Sequence, residues 1–544
     1  MISKYLSKGA TPMGIAFSLI LFFISFALNA QNSREEFEKW KNRQQQEFKN
    51  FSDKQEKDYK DFRDKANAEY AEFMRKSWEE FRPQNAIPPP NVPELKQPPV
   101  ADPETKPTAT PLPVVKITPL PATTPQPQPL VTIPSVSLPE PERPELPILP
   151  KIEIPEPPKS ETSETQNPES PEPPKPETPE PPKPEIVKSF QFNFFNTNCY
   201  ISLDNGHRFS LSDASEQSVA NAWEKMSGNQ FNAVINDCLD LRNRLKLCDW
   251  GYYLLLKEIS ESFFGKTSNE AVLLQMFILT QSGYKVRIAR TGTRLALLVP
   301  FLETIYDYAF LTISGVKYYI LNKDLIGTSF YICNHQFPKE QYFSWQISQP
   351  LLAEKLNLPK VFSSKSEQDI KVSIQTNQNL IDFYDSYPLS SEWSLYIRTG
   401  LSETVKQTLY PALKSSISGK SQVQAAQILL NFCQTSFDYK TCDEQFGYER
   451  PFFADENFFF PYNNCKHRAT LYALLVRELI NLEVVILSYP EHLATAVHFP
   501  EDVSGDYFTV DGKKFLVCDP TYIGARIGMT MPQCKNTSVE IIKI

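Results

Sequence analysis

The chain has 544 residues, carries 64 acidic against 56 basic side chains for a net charge of −8, and contains 47 unevenly placed prolines. That length exceeds one ordinary hydrophobic core and allows several domains. The acidic balance excludes nucleic acid as a partner, because no basic field is present to neutralise phosphates.

Residues 1–30 have the layout of a signal peptide. Lys4 and Lys8 precede an apolar run over 14–28, and Asn29 and Ala30 close it with a small residue suited to cleavage before Gln31. The run is short for a membrane-spanning helix. The chain is therefore expected to be exported, to a periplasm, a cell surface or the medium, with retention of the run as an anchor as the alternative. Export permits disulfides, and nine cysteines leave at least one unpaired.

Residues 31–85 carry a repeat of eleven. Aromatics recur at that step in two registers, Phe37, Phe48, Tyr59, Tyr70, Phe81 and Trp40, Phe51, Phe62, Phe73, with charges keeping the same step at Arg43, Lys54, Lys65 and Lys76. Eleven residues make three helical turns at about 3.67 per turn, so each stripe holds one face and drifts right-handed. The segment is expected to be one long amphipathic helix that associates with a copy of itself or anchors to a surface. The alternative is docking onto the C-terminal domain of the same chain.

Proline dominates 86–187, where PEPPK starts at Pro155, Pro171 and Pro179. Such a composition predicts a disordered, extended linker without a core. In polyproline form it reaches up to roughly 300 Å.

From 188 onward the chain is globular. Helical periodicity is expected over 213–226, 229–247 and 250–264, and again over 402–417 and 420–437, while 372–374 and 393–398 read as strands by alternation and aromatic content. The fold class is α+β, with helices packed on antiparallel sheets.

The stretch 464–524 holds the candidate chemistry. A helix opens at Cys465 behind the plausible N-cap Asn464, a strand opens at His492, and another closes at Asp519 before Pro520. A thiol becomes a nucleophile when a helix N-terminus, a cation or an imidazole stabilises its thiolate, and Lys466, His467 and Arg468 follow Cys465 at once. An imidazole can take and return the proton, and a carboxylate can hold that ring in place. The Cys465 backbone N–H is the one assignable oxyanion donor. His498 shares strand parity with His492, but His492 starts the strand and is preferred; His467 reads as a solvated first-turn residue. The five histidines are scattered and no close cysteine pair has ligand spacing, so no metal or cofactor is expected.

Together with the approach DYKTCDEQFGYERPFF (438–453) and the exit DPTYIGARIG (519–528), these residues resemble the catalytic core of the transglutaminase-like cysteine-protease superfamily. The resemblance implies a transglutaminase/papain-like core with Cys465 as nucleophile, His492 as general base and acid, and Asp519 as orienter. One departure is local: acidic residues usual around the cysteine are replaced by Asn464, Lys466 and His467.

The fold is expected twice. Setting Thr267 against Cys465 brings RLALLVPF (294–301) onto HLATAVHF (492–499), and a shift of one residue then brings SGVKYYILNKDLIG (314–327) onto DGKKFLVCDPTYIG (511–524). The triad positions of the earlier copy become Thr267, Arg294 and Asn322, which cannot perform thiol chemistry. The domains are thus 188–350, degenerate and inactive, and 351–544, catalytic. The expected function is attack by the Cys465 thiolate on an amide carbonyl of a protein or peptide. Water then makes the protein a peptidase or amidase, and an amine makes it a transglutaminase, with hydrolysis favoured. The alternative is a non-catalytic scaffold that binds peptide or cell wall on the same fold.

Overall fold

A computed structural model describes residues 12–89, 94–114, 116–119, 189–301, 303–325, 329–344, 346–366, 370–390 and 392–544, with side chains from residue 39. The side chains of the expected export signal and most of the expected linker lie outside the described residues. No helix among the described residues is long and apolar enough to cross a membrane.

The described residues form a mixed α+β protein of twelve α-helices and sixteen strands. The N-terminal segment supplies α1 (Pro12–Met74), β1 (Glu79–Phe81) and β2 (Lys116–Thr118). A first globular unit follows with β3 (Phe190–Phe194), β4 (Thr197–Ile201), α2 (Glu216–Met226), α3 (Gln230–Arg244), α4 (Asp249–Phe264) and α5 (Asn269–Gln281). It continues through β5 (Arg287–Thr291), β6 (Arg294–Pro300), β7 (Phe310–Ile313), β8 (Val316–Ile320) and β9 (Phe330–Ile332). The second unit has β10 (Lys360–Ser363), β11 (Lys371–Ile374), α6 (Gln378–Ser386), whose Leu380, Ile381, Phe383 and Tyr384 pack into the core of the first unit, α7 (Trp393–Arg398), α8 (Glu403–Ile417), α9 (Gln422–Thr435), α10 (Cys442–Phe446) and α11 (Glu456–Phe459). It ends with α12 (Cys465–Ile480), β12 (Val484–Tyr489), β13 (His492–His498), β14 (Tyr507–Val510), β15 (Lys513–Cys518) and β16 (Glu540–Lys543).

The two six-stranded sheets have the same strand order. One runs β1-β9-β5-β6-β8-β7 and the other β2-β16-β12-β13-β15-β14. In each, a nearly all-buried helix, α5 or α12, precedes the strands and packs on the central one. One hairpin of each sheet also corresponds to the other in its turn. β7 and β8 turn through Ser314 and Gly315, β14 and β15 through Asp511 and Gly512, and all four residues have positive φ. Two positive-φ residues make the turn that matches right-handed strand twist.

The long helix is present, and its aromatics are buried only toward its C-terminal end, where Tyr70 and Phe73 both meet His335. Tyr70 of the first register is 1% exposed and its ring lies 4.9 Å from Trp223. Around it Arg63 donates to Asn232 at 2.6 Å, and Asn67 exchanges amide hydrogen bonds with Gln281. Trp40, Phe51 and Phe62 of the second register stay exposed. The C-terminal part of the helix therefore docks inside the chain, on the first globular unit rather than on the C-terminal domain. The helix also stops at Met74, short of the expected 85. Trp78 turns inward with its Nε1–H on the Met74 carbonyl at 3.0 Å, and 79–81 leave to pair with β9.

The expected disordered linker 86–187 needs a second correction, because its described residues 94–114 and 116–119 form an ordered strap across the second unit. Ala101 donates to the Ile523 carbonyl at 2.8 Å, Ile523 donates to Pro99, Leu112 donates to Tyr507, and β2 pairs in parallel with the edge strand β16. Ala101 and Leu112 are buried on the face of the second sheet opposite α12, with Leu95 and Val114 beside them. Proline forbids helix here but is compatible with an extended strand lying on a sheet edge, and that apolar face and open edge would otherwise meet water. A third correction concerns 393–398, expected as a strand. Ser394, Leu395, Tyr396 and Ile397 are consecutively buried, and a single helical turn satisfies their backbone without a partner strand.

Behind the second sheet, Gly505 and Gly528 press backbone to backbone. A Cβ on Gly528 would come within 2.5 Å of the Gly505 Cα, and its φ of +81° already disfavours any side chain. Gly528→Ala is expected to destabilise the protein by about 3 kcal/mol or more. Gly512→Ala has a similar positive φ but open space around it, so the cost is only about 1 kcal/mol. Urea denaturation of the two variants checks the difference.

Candidate active site

Cys465 is the first residue of α12. Asn464 caps that helix: its Oδ1 accepts the Lys466 and His467 amides at 3.0 and 3.1 Å, and His467 Nδ1 accepts the Asn464 N–H at 3.2 Å. The cap expected from sequence is present, completed by a histidine where glutamate or glutamine is usual. The Cys465 thiol thereby sits where the helix leaves its first amides unpaired, and the residue has no solvent exposure.

His492 opens β13 opposite Tyr489. Its Nε2–H donates to Asp519 Oδ2 at 2.8 Å, and both side chains are buried. Asp519 Oδ1 is fixed separately by the Thr521 and Tyr522 amides at 2.9 and 3.2 Å. Burial alone would draw the imidazole's pKa down, but the Asp519 carboxylate, and then Cys465 beside the ring, raise it to about 10. With Nε2 committed, Nδ1 takes no hydrogen bond from any described residue. The structure therefore brings His492 to Asp519, and places the Cys465 sulfur near enough to perturb the ring. His498 stands at the far end of the same strand, roughly 20 Å away, with Nδ1–H on the Lys514 carbonyl.

The cations after Cys465 are engaged elsewhere. His467, expected to be solvated, is 1% exposed, stacked 3.5 Å over Phe452, with its Nε2–H on the Arg450 carbonyl at 2.8 Å. Burial first, then the neighbouring Lys466, Arg450 and Arg468, keep it neutral by pushing its pKa well below the usual range. Arg468 donates to the Gln434 and Phe437 carbonyls. Lys466 reaches Glu94 of the strap and Glu449, both at 2.6 Å. Burial opposes its charge, and the two carboxylates outweigh burial to hold its pKa above the ordinary lysine range. Glu94, Glu449 and the Cys442 thiol converge as metal ligands would, but the Lys466 ammonium already sits against both carboxylates as the cation. All nine cysteines are buried thiols.

Three further residues support the site, and only Tyr439 lies in a stretch that the sequence singled out for it, the approach 438–453. Gln434 on α9 donates to the Asp519, Tyr522 and Ala525 carbonyls and fixes the loop that carries Asp519. The Tyr439 hydroxyl donates to the Leu95 carbonyl of the strap at 2.6 Å; burial first, and then Cys465 and Glu94, raise its pKa. Glu94 itself lies within the proline-rich composition. A cavity of about 340 Å³ opens beside His492, lined among others by Lys466, Glu449, Tyr489 and, from the N-terminal segment, Pro89 and Thr118.

In the first unit the positions matched to the triad, Thr267, Arg294 and Asn322, carry no thiol or imidazole. The first helical residue there is Asn269, not Thr267, which lies in a left-handed turn ahead of the helix. The helix-to-hairpin span is two residues shorter (269 to 294 against 465 to 492), so a match that registers the strands misses the helix start. Asn269 Oδ1 accepts the Leu295 amide, Asn322 Oδ1 accepts the Leu297 amide, and Arg294 pairs with Asp324 at 3.0 Å. Comparison with protein-family models, curated proteins and solved structures finds no match to the chain.

Proposed function

We propose that this chain is an exported thiol enzyme acting on amide bonds, with a duplicated transglutaminase-like core whose first copy has lost the chemistry. The observation that carries the proposal is a buried imidazole held on one side by Asp519 at 2.8 Å, next to a cysteine at the first position of a helix. In this mechanism the imidazolium and thiolate form a pair, the thiolate attacks the amide carbon, and His492 returns a proton to the departing amine. Water then resolves the acyl-enzyme in a peptidase or amidase, or an amine does so in a transglutaminase, with hydrolysis preferred. The shared strand order and matched hairpin turns of the two sheets support duplication. The exposed Trp40, Phe51 and Phe62 are the surface through which 31–85 would self-associate or anchor.

A second reading, a peptide- or wall-binding scaffold on this fold, has in its favour that Cys465 has no exposed surface. Alkylation of Cys465 by iodoacetamide, followed by peptide mass mapping, separates the two. An enzyme requires His492→Ala to slow alkylation at pH 7 by about tenfold or more; equal rates in the two chains assign the scaffold.

A further inference from the structure

The strap meets the active-site helix through one carboxylate, and that carboxylate is fully recognised. Glu94 Oε1 accepts from Lys466 Nζ at 2.6 Å and from Asn464 Nδ2 at 2.9 Å, and Oε2 accepts from the Cys442 backbone N–H at 2.9 Å. All three donors belong to the second unit, and two of them come from the residues on either side of Cys465. The Lys466 and Glu94 side chains are 3% and 5% exposed, so donors and acceptor are both out of water. A buried ammonium, amide and peptide N–H left without this partner would each lose a hydrogen bond that water could not readily replace.

The backbone beyond Glu94 behaves as a bound peptide does. Leu95 is held through its carbonyl by Tyr439, and Pro99 and Ala101 pair with Ile523 in the loop that follows Asp519. An extended segment that pairs with a receptor backbone while inserting one side chain into a polar seat is a recurring mode of peptide recognition. Here the segment runs from the helix that carries the thiol to the loop that carries its carboxylate, alongside the cavity at His492.

We propose that the strap is a tethered occupant of the substrate cleft, and that Lys466, Asn464 and the Cys442 amide form a subsite that selects an acidic residue in an extended peptide. This rests on the thiol-enzyme reading for its chemistry. For its binding it rests only on the seat that Glu94 fills. Substrate enters by displacing the strap, and Glu449 keeps Lys466 charged while the seat is empty.

The test is made in full-length chains carrying Cys465→Ala, which removes chemistry and keeps the cleft. The probes are a fluorescent, C-terminally amidated peptide of the sequence VPELKQPPVA, taken from 92–101, and its twin with glutamine in place of glutamate. Glu94→Ala empties the seat, and Ala101→Pro removes the N–H that bonds Ile523. In the doubly substituted chain the glutamate peptide is expected to bind about tenfold or more tightly than its twin by anisotropy. The chain with an intact strap is expected to bind both far more weakly, because a tethered competitor acts at roughly millimolar effective concentration. Equal affinity for the two peptides in the opened chain, or no binding of either, overturns the proposal. If the glutamate preference appears while His492→Ala leaves Cys465 alkylation unchanged, the subsite stands and the enzymatic reading falls. The reverse pair of results keeps the enzyme and removes the subsite.

Discussion

Asp519→Asn is expected to lower turnover on amide substrates by about 10³ to 10⁴-fold without unfolding the site. Oδ1 stays bound by the Thr521 and Tyr522 amides, so the new amide nitrogen must take the place of Oδ2, facing His492 Nε2. Nε2 then accepts instead of donating, the ring proton moves to Nδ1, and the face toward Cys465 can no longer take a proton. The same variant removes the charge that raises His492 to about 10, and NMR titration should find the ring titrating well below that value. The sign for stability follows. A histidine whose folded pKa is raised contributes stability in full below its unfolded value of about 6.5, and loses it as pH rises toward about 10. The stability gap between the parent chain and Asp519→Asn should therefore close between those limits, read as denaturation midpoints across that range.

Lys466→Met is expected to cost about 3 to 5 kcal/mol at pH 7, because it leaves two buried carboxylates facing each other without their cation. Glu94 and Glu449 each lie 2.6 Å from the ammonium in the native protein. The Glu449 pKa is already raised, by burial first, against the pull of Lys466. Removing Lys466 removes the pull that opposes Glu449 protonation, so the deficit should shrink as pH falls toward 5, and Glu449→Gln added to Lys466→Met should recover part of it at pH 7. Urea unfolding of the single and double variants measures both effects.

The parts of this site that sequence made legible are those with a local signature. Asn464 before Cys465 reads as a cap and is one, His492 opens its strand, and Asp519 closes its own. What stayed hidden depends on contacts made far along the chain. Glu94 is 372 residues from Lys466, and the prolines around it outweigh the few apolar residues, Leu95, Ala101 and Leu112, that hold the strap down. His467 followed a lysine and looked solvated; only the fold reveals Phe452 stacked upon it. Thr267 was displaced from the helix start by a length difference that strand matching cannot detect.

β2 within the proline-rich stretch and β3 beyond it both pair with strands of the globular body. The distance from the thiol to the N-terminal end of the described residues is set by another element. α1 governs that distance. Its residues ahead of Tyr59 extend about 70 Å at 1.5 Å per residue, as a stiff post. Any attachment near the start of the chain would hold the cleft at one stand-off height, so that reachable targets form a thin shell rather than a filled sphere.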